Sequence, residues 1–133
     1  MVHVIRPGER DPGTTQTSGM RREAGISHKL SGSEGLWMGV GKNEPGGVSG
    51  VHHHGASESG IFILKGRIRF RFGEKLEQVV DTEPGDFVFV PPWEVHMEEN
   101  LDPDSEAEFV LARNTMEGIV VNVPDPRDHQ SRD

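Results

Sequence analysis

The sequence predicts an all-β chain folded as one antiparallel sandwich or barrel, and three observations predict it. The stretch RIRFRF (residues 67–72) alternates with period two, which puts Ile68, Phe70 and Phe72 on one face and Arg67, Arg69 and Arg71 on the other. Further short runs of strand character follow the same texture: GIFIL (60–64), LEQVV (76–80), DFVFV (86–90), VHMEEN (95–100), AEFVLA (107–112) and GIVVNV (118–123). Gly66, Gly73, EPGD (83–86) and LDPD (101–104) punctuate them, and no run carries the 3.6-residue period of an amphipathic helix.

Taken in order, the chain begins with an irregular arm. Apart from VHVI (2–5), residues 6–35 are rich in Gly, Pro, Ser and Thr and show no sustained period; GMRREAGIS (19–27) suggests no chemistry. LWMGV (36–40) opens the sheet, with Trp37 and Met38 read as core or dimer contacts, and GKNEPGG (41–47) supplies a turn. The expected organisation is therefore an arm over 1–35 that can pack on a dimer partner, a barrel over 36–123 and a frayed tail over 124–133.

Composition narrows the function classes. A chain of 133 residues is one domain with room for a sizeable core. Lys plus Arg total 14 against 22 for Asp plus Glu, a formal charge of -8, so nucleic acid and anionic membrane surfaces are not expected partners. The absence of cysteine removes disulfides, thiolate metal sites and cysteine nucleophiles, and fits a cytoplasmic protein. Tyrosine is absent too, which leaves histidine, carboxylate and lysine for proton transfer. No apolar run is long enough for a membrane span, and the first ten residues lack the apolar region of a signal peptide.

The chemistry concentrates in two stretches. VSGVHHHGASESGIFILKG (48–66) holds three consecutive histidines. In extended chain His52 and His54 share a face, about 7 Å apart at Cα, while His53 points the other way. If the chain stays extended, Glu58 keeps the parity of His54 and Ser59 does not. The second stretch, PGDFVFVPPWEVHMEEN (84–100), spaces Gly85, Pro91, Trp93, His96 and Asn100.

Together with His52, His54, Glu58 and Gly66, this resembles the paired motifs of the cupin superfamily over residues 47–100. The resemblance implies a jelly-roll β-barrel with a metal centre in its mouth. A third imidazole from His96 would join His52, His54 and Glu58 in a shell of three nitrogens and one oxygen. That set suits one divalent transition metal (Mn, Fe, Co, Ni, Cu or Zn) better than Ca or Mg.

The sequence departs from the family pattern twice. Trp93 stands where the second motif has a glycine, and the gap between Glu58 and Gly66 is one residue longer than usual. A bulge between Ser59 and Gly66 would absorb the extra residue and keep Glu58 as ligand. If Ser59 faces inward instead, the site has three histidines and an open carboxylate position.

Gly66, Gly85, Pro91 and Asn100 are expected to be structural. Glu94, Glu98 and Glu99 read as surface carboxylates. Arg67, Arg69 and Arg71 read as a solvated strand face, with an anion clamp as the other reading. Trp93 and Phe70 are candidate substrate contacts.

The resemblance also implies a homodimer, with the arm adding a strand to a neighbouring subunit. Because the family spans dioxygenases, isomerases, decarboxylases, lyases and binding proteins, fold leaves function open. The expected function is an enzyme acting on a small polar metabolite that chelates the metal; the alternative is a non-catalytic module binding a small molecule or sugar.

Overall fold

The computed structural model describes residues 1–14, 16–116 and 119–127. Among the described residues ten strands form: β1 (Met20–Ile26), β2 (Trp37–Asn43), β3 (His52–His53), β4 (Ser59–Lys65), β5 (Ile68–Phe72), β6 (Gln78–Thr82), β7 (Phe87–Val90), β8 (His96–Asn100), β9 (Ala107–Arg113) and β10 (Val121–Asn122). They make two five-stranded antiparallel sheets, ordered β1-β2-β9-β4-β7 and β10-β3-β8-β5-β6. From β2 to β5 each successive strand changes sheet, the wrapping that gives the expected jelly-roll barrel. Gly118, the first residue of the expected final strand, and residues 128–133 of the expected tail lie outside the described residues.

The period-two pattern dictates which side chains enter the barrel. Ile61 and Ile63 from β4, Ile68 and Phe70 from β5, Val90 from β7, and Phe109 and Leu111 from β9 pack into one core with Trp37, Met20 and Ala24. Fully burying each larger apolar side chain contributes about 1.5–3 kcal/mol. Phe109 enters only because β2 carries Gly41 opposite it; a Cβ there would overlap the ring. The outward arginines of β5 pair across the surface, Arg69 with Asp81 at 2.7 Å and Arg71 with Glu99 at 2.7 Å, as expected of a solvated strand face.

The first 35 residues are more ordered than the sequence suggests. Residues 20–26 form β1, which pairs with β2 of the same chain from Met20↔Asn43 to Ile26↔Met38. Its alternation is real: Met20, Arg22 and Ala24 are buried, while Arg21 is exposed. An arginine at an inward position conceals that pattern, because composition reads it as polar. A four-residue helix, α1 (His28–Ser31), follows, with the Ser27 hydroxyl accepting from Leu30 N as its cap.

Candidate metal centre

The two histidine-bearing stretches meet in one sheet. His52 on β3 lies directly opposite His96 on β8 in the antiparallel ladder. His54 follows just past β3, where the chain turns: Ser57 N donates to His54 O at 3.1 Å, and Gly55 adopts φ 58, a left-handed conformation that suits glycine. The three ring centroids lie 4.4 to 5.1 Å apart.

Each imidazole is oriented by a backbone carbonyl. His52 Nδ1 lies 2.7 Å from Gly50 O, His54 Nδ1 2.7 Å from Ile119 O and His96 Nδ1 2.8 Å from Glu94 O. A carbonyl can only accept, so each Nδ1 carries the proton and donates. The lone pair of each Nε2 is left facing its neighbours, the arrangement metal-ligating histidines adopt. The ligand atoms of the three residues all lie within 4.8 Å of one another. The Nε2 atoms of His52 and His96 are buried without a hydrogen-bond partner. Three converging, fixed nitrogen lone pairs fit a borderline transition metal, and their chemistry carries that fit.

Glu58 is not with them. It is exposed; its backbone N–H donates to Asn114 Oδ1 at 3.0 Å, and its carboxylate accepts from Asn114 Nδ2 at 3.4 Å. The turn at Gly55 breaks the extended parity from His54. Along β4, Ile61 and Ile63 must face the core, which makes Ser59 the inward residue and turns Glu58 out. A bulge does occur, between Ile63 and Lys65, but it lies beyond these residues and leaves Ser59 inward.

The carboxylate at the centre is Glu98, which composition alone suggested was a surface residue. It lies two residues past His96 on β8, hence on the same face, and is 2% exposed. Its Oε2 is 3.7 Å from His52 Nε2 and its Oε1 3.6 Å from His96 Nε2. Strand parity from His96 was the signal that could have found it.

The electrostatics follow from burial and from this one carboxylate. Burial holds His52 at about 4, although Glu98 pulls upward, and burial with the neighbouring His96 holds His54 at about 3. His96 is buried too, yet the Glu98 carboxylate 3.6 Å from its Nε2 raises it. Burial works against the charged form of Glu98, but His96, His52 and Arg22 together hold it well below the ordinary carboxylate range.

Of the proposed substrate contacts, Phe70 lines a cleft of about 430 Å³ between β5, β6 and β7, together with Val80, Val88 and Val90; this cleft reaches His96. Trp93 is outside it, 65% exposed, with its ring 5.7 Å from that of His53. Trp93 has φ 66, and its N–H donates to Gly55 O at 2.8 Å, tying the turn after His54 to the turn before His96. Its backbone takes the left-handed conformation that glycine favours, so the departure from the family motif changes the side chain and keeps the turn. Asn100 is structural as expected: its Nδ2 donates to Glu44 O at 3.0 Å and Ser105 O at 2.7 Å, and its Oδ1 accepts from Asp102 N at 3.0 Å.

Fold and site define a small double-sheet barrel with a three-histidine centre. Residues 40–113, more than half of the chain, match the family model described as "Cupin domain", and the chain belongs to that family. No curated protein matches it. Among solved structures it is similar to the polyketide cyclase RemF from Streptomyces resistomycificus, with a TM-score of 0.71 and 18% identity over 98% of this chain and 92% of that one. It is also similar to Bacillus subtilis oxalate decarboxylase, described for its Mn(II) centres, with a TM-score of 0.72 and 18% identity over 89% of this chain and 31% of that one. An oxalate oxidase in complex with the substrate analogue glycolate gives a TM-score of 0.68 and 20% identity over 86% of this chain and 60% of that one. These likenesses establish the fold. No helix among the described residues is long and apolar enough to cross a membrane.

Proposed function

We propose that the protein is a metal-dependent enzyme acting on a small polar metabolite that chelates one divalent transition metal. His52, His54 and His96 hold the ion and Glu98 supplies the carboxylate. The observation that carries this reading is the convergence of three imidazoles whose Nδ1 protons are all committed to carbonyls. The metal, when bound, polarises a coordinated substrate oxygen as a Lewis acid. The chain itself fixes the nitrogen lone pairs, keeps His52 and His54 unprotonated at neutral pH and admits substrate through the cleft at His96. Solved proteins of the same fold that are enzymes, one with Mn(II) centres, support the reading.

The test is metal titration by calorimetry, with Mn(II) and Zn(II), on folded variants. His52→Ala, His54→Ala and His96→Ala should each abolish tight binding. Glu98→Gln should weaken it about 10-fold or more, since even residues outside the coordination shell contribute 10- to 100-fold. Glu58→Gln and His53→Ala should leave it unchanged. Retained binding in His96→Ala, or loss in Glu58→Gln with Glu98→Gln intact, rejects the assignment.

We also infer a homodimer, on a different observation. On the outer face of the first sheet, Phe87, Phe62, Val110 and Val40 are paired in one row across β7, β4, β9 and β2, and Phe87 is 83% exposed. A row of apolar side chains on an open sheet face suits a second copy of the chain.

A further inference from the structure

We propose that the barrel interior binds a small carboxylate between Arg113, Arg22 and the histidine cluster. This rests on the reading of the interior as the binding site and names the class of molecule it takes; it does not depend on the metal.

Both arginines are 2% exposed. All three guanidinium nitrogens of Arg113, and Nε and Nη1 of Arg22, are buried with no hydrogen-bond partner. Arg113 has one described neighbour that orients it, the Trp37 ring, with Cζ 4.0 Å above the centroid. Directly opposite Arg113, on β4, stands Ser59, 1% exposed and with its hydroxyl likewise unpartnered. Opposite Ser59 on the other side is Val90, which lines the cleft that reaches His96. One inward row, Val90, Ser59, Arg113 and Trp37, therefore runs from the cleft wall to the guanidinium.

Unpaired buried guanidinium is costly, because its desolvation is not offset by an acceptor from the protein. The charged side chains buried here are Arg22, Arg113 and Glu98. Two guanidiniums against one carboxylate leave one positive charge in excess before any histidine or bound ion is counted. A single carboxylate cancels that excess, its two oxygens match the fork of a guanidinium, and Ser59 supplies a further donor. Electrostatics agree: burial and, after it, the charge of Arg22 together lower Arg113 to about 10, while Arg22 is lowered by burial with only Glu98 pulling upward.

Trp37 and Trp93 are the two tryptophans of the chain, so Trp93→Phe leaves Trp37, stacked on Arg113, as the fluorescent reporter. Metal-free Trp93→Phe protein is titrated with acetate, malonate, inorganic phosphate and, as a neutral control of similar size, acetamide. The expected result is a saturable change in Trp37 emission with a carboxylate and none with acetamide. Adding Arg113→Met should weaken carboxylate binding about 10-fold or more, and Arg113→Lys should not restore it, since a lysine lacks the planar fork. Ser59→Ala, which removes a single hydroxyl, should weaken it less.

Absence of a saturable response to either carboxylate overturns the proposal, as does phosphate binding in place of carboxylate or an equal response to acetamide. Should Arg113→Met fail to fold, the anion selectivity of Trp93→Phe and the Ser59→Ala titration still decide. Calorimetric metal binding on the same proteins keeps the two readings apart: metal bound without carboxylate sinks this proposal alone, and carboxylate bound without metal sinks the metal assignment alone.

Discussion

At the scale of single residues, two buried acid–base sets govern behaviour. In the metal-free protein His52 and His54 sit at about 4 and about 3, below their ordinary 6.5, because burial disfavours the imidazolium. The unfolded chain therefore takes up protons near 6.5 that the folded chain refuses, and stability falls as pH drops from about 6.5 towards 4. His96 has the opposite sign: raised by Glu98, it contributes fully below 6.5 and loses that contribution as pH rises through its folded value. Two groups against one predict a net fall in melting temperature on acidification through that window, with Arg22 and Glu98 as the charged neighbours that tune it. Thermal melts of chelator-treated protein across this range check it; a flat profile contradicts it. Trp93 offers a second test. Holding a non-glycine residue at φ 66 costs about 1–2 kcal/mol, and the side chain is mostly exposed. Trp93→Gly should therefore keep metal affinity and lose less than about 1 kcal/mol of stability, the strain relieved offsetting glycine's extra entropy and the lost contact with His53. A loss well above that in denaturant unfolding would mean the indole is needed for packing.

At the scale of elements, the legible parts were those whose inward positions are apolar. In β5 the inward Ile68 and Phe70 alternate with arginines, and that period located it, while β4, β7 and β9 were located as short apolar runs bounded by turn signals. β1 was not legible, because Arg22 occupies an inward position. The same physics hid the residues now proposed for the site: Arg22, Arg113 and Glu98 are charged side chains on buried faces, where pattern reading assigns charge to solvent. His52 and His54 were legible because their spacing by two matches strand parity. Glu58 was misplaced by carrying that parity through Gly55, whose positive φ resets it. One element-level dependency can be measured. Gly41 on β2 faces the Phe109 ring, and a Cβ there would overlap three of its carbons. Gly41→Ala should destabilise by about 1–3 kcal/mol, the usual range for overpacking, and Gly41→Ala with Phe109→Leu should recover part of it. Equal stability of wild type and Gly41→Ala in urea would show that the ring moves freely aside.

At the scale of the whole molecule, the two faces of the first sheet do different jobs. The inner face closes the core and presents Ser59 and Arg113 to the interior; the outer face carries the apolar row through Phe87, Phe62, Val110 and Val40. Phe87 and Phe62 stack with centroids 4.7 Å apart, and Phe89, on the same edge strand β7, is 63% exposed. At the far side, Met1, Val4 and Ile5 border a groove shared with Met38, Val40 and Val110, so the first residues lie along this face while β1 completes the sheet in its own chain. In the homodimer proposed above, the arm would contribute apolar surface and not a strand exchanged between subunits. An edge strand with two exposed phenylalanines invites association, and a two-fold pairing of this face would cover both the row and the edge. Light scattering at micromolar concentration should give a dimer, and Phe87→Glu with Phe89→Glu should give a monomer with the melting temperature no longer dependent on concentration. Phe87 and Phe89 also line the cleft that reaches His96, but neither offers a metal ligand, so metal affinity should survive the change. A wild-type monomer, or a double variant that remains dimeric, would place the subunit contact elsewhere or remove it.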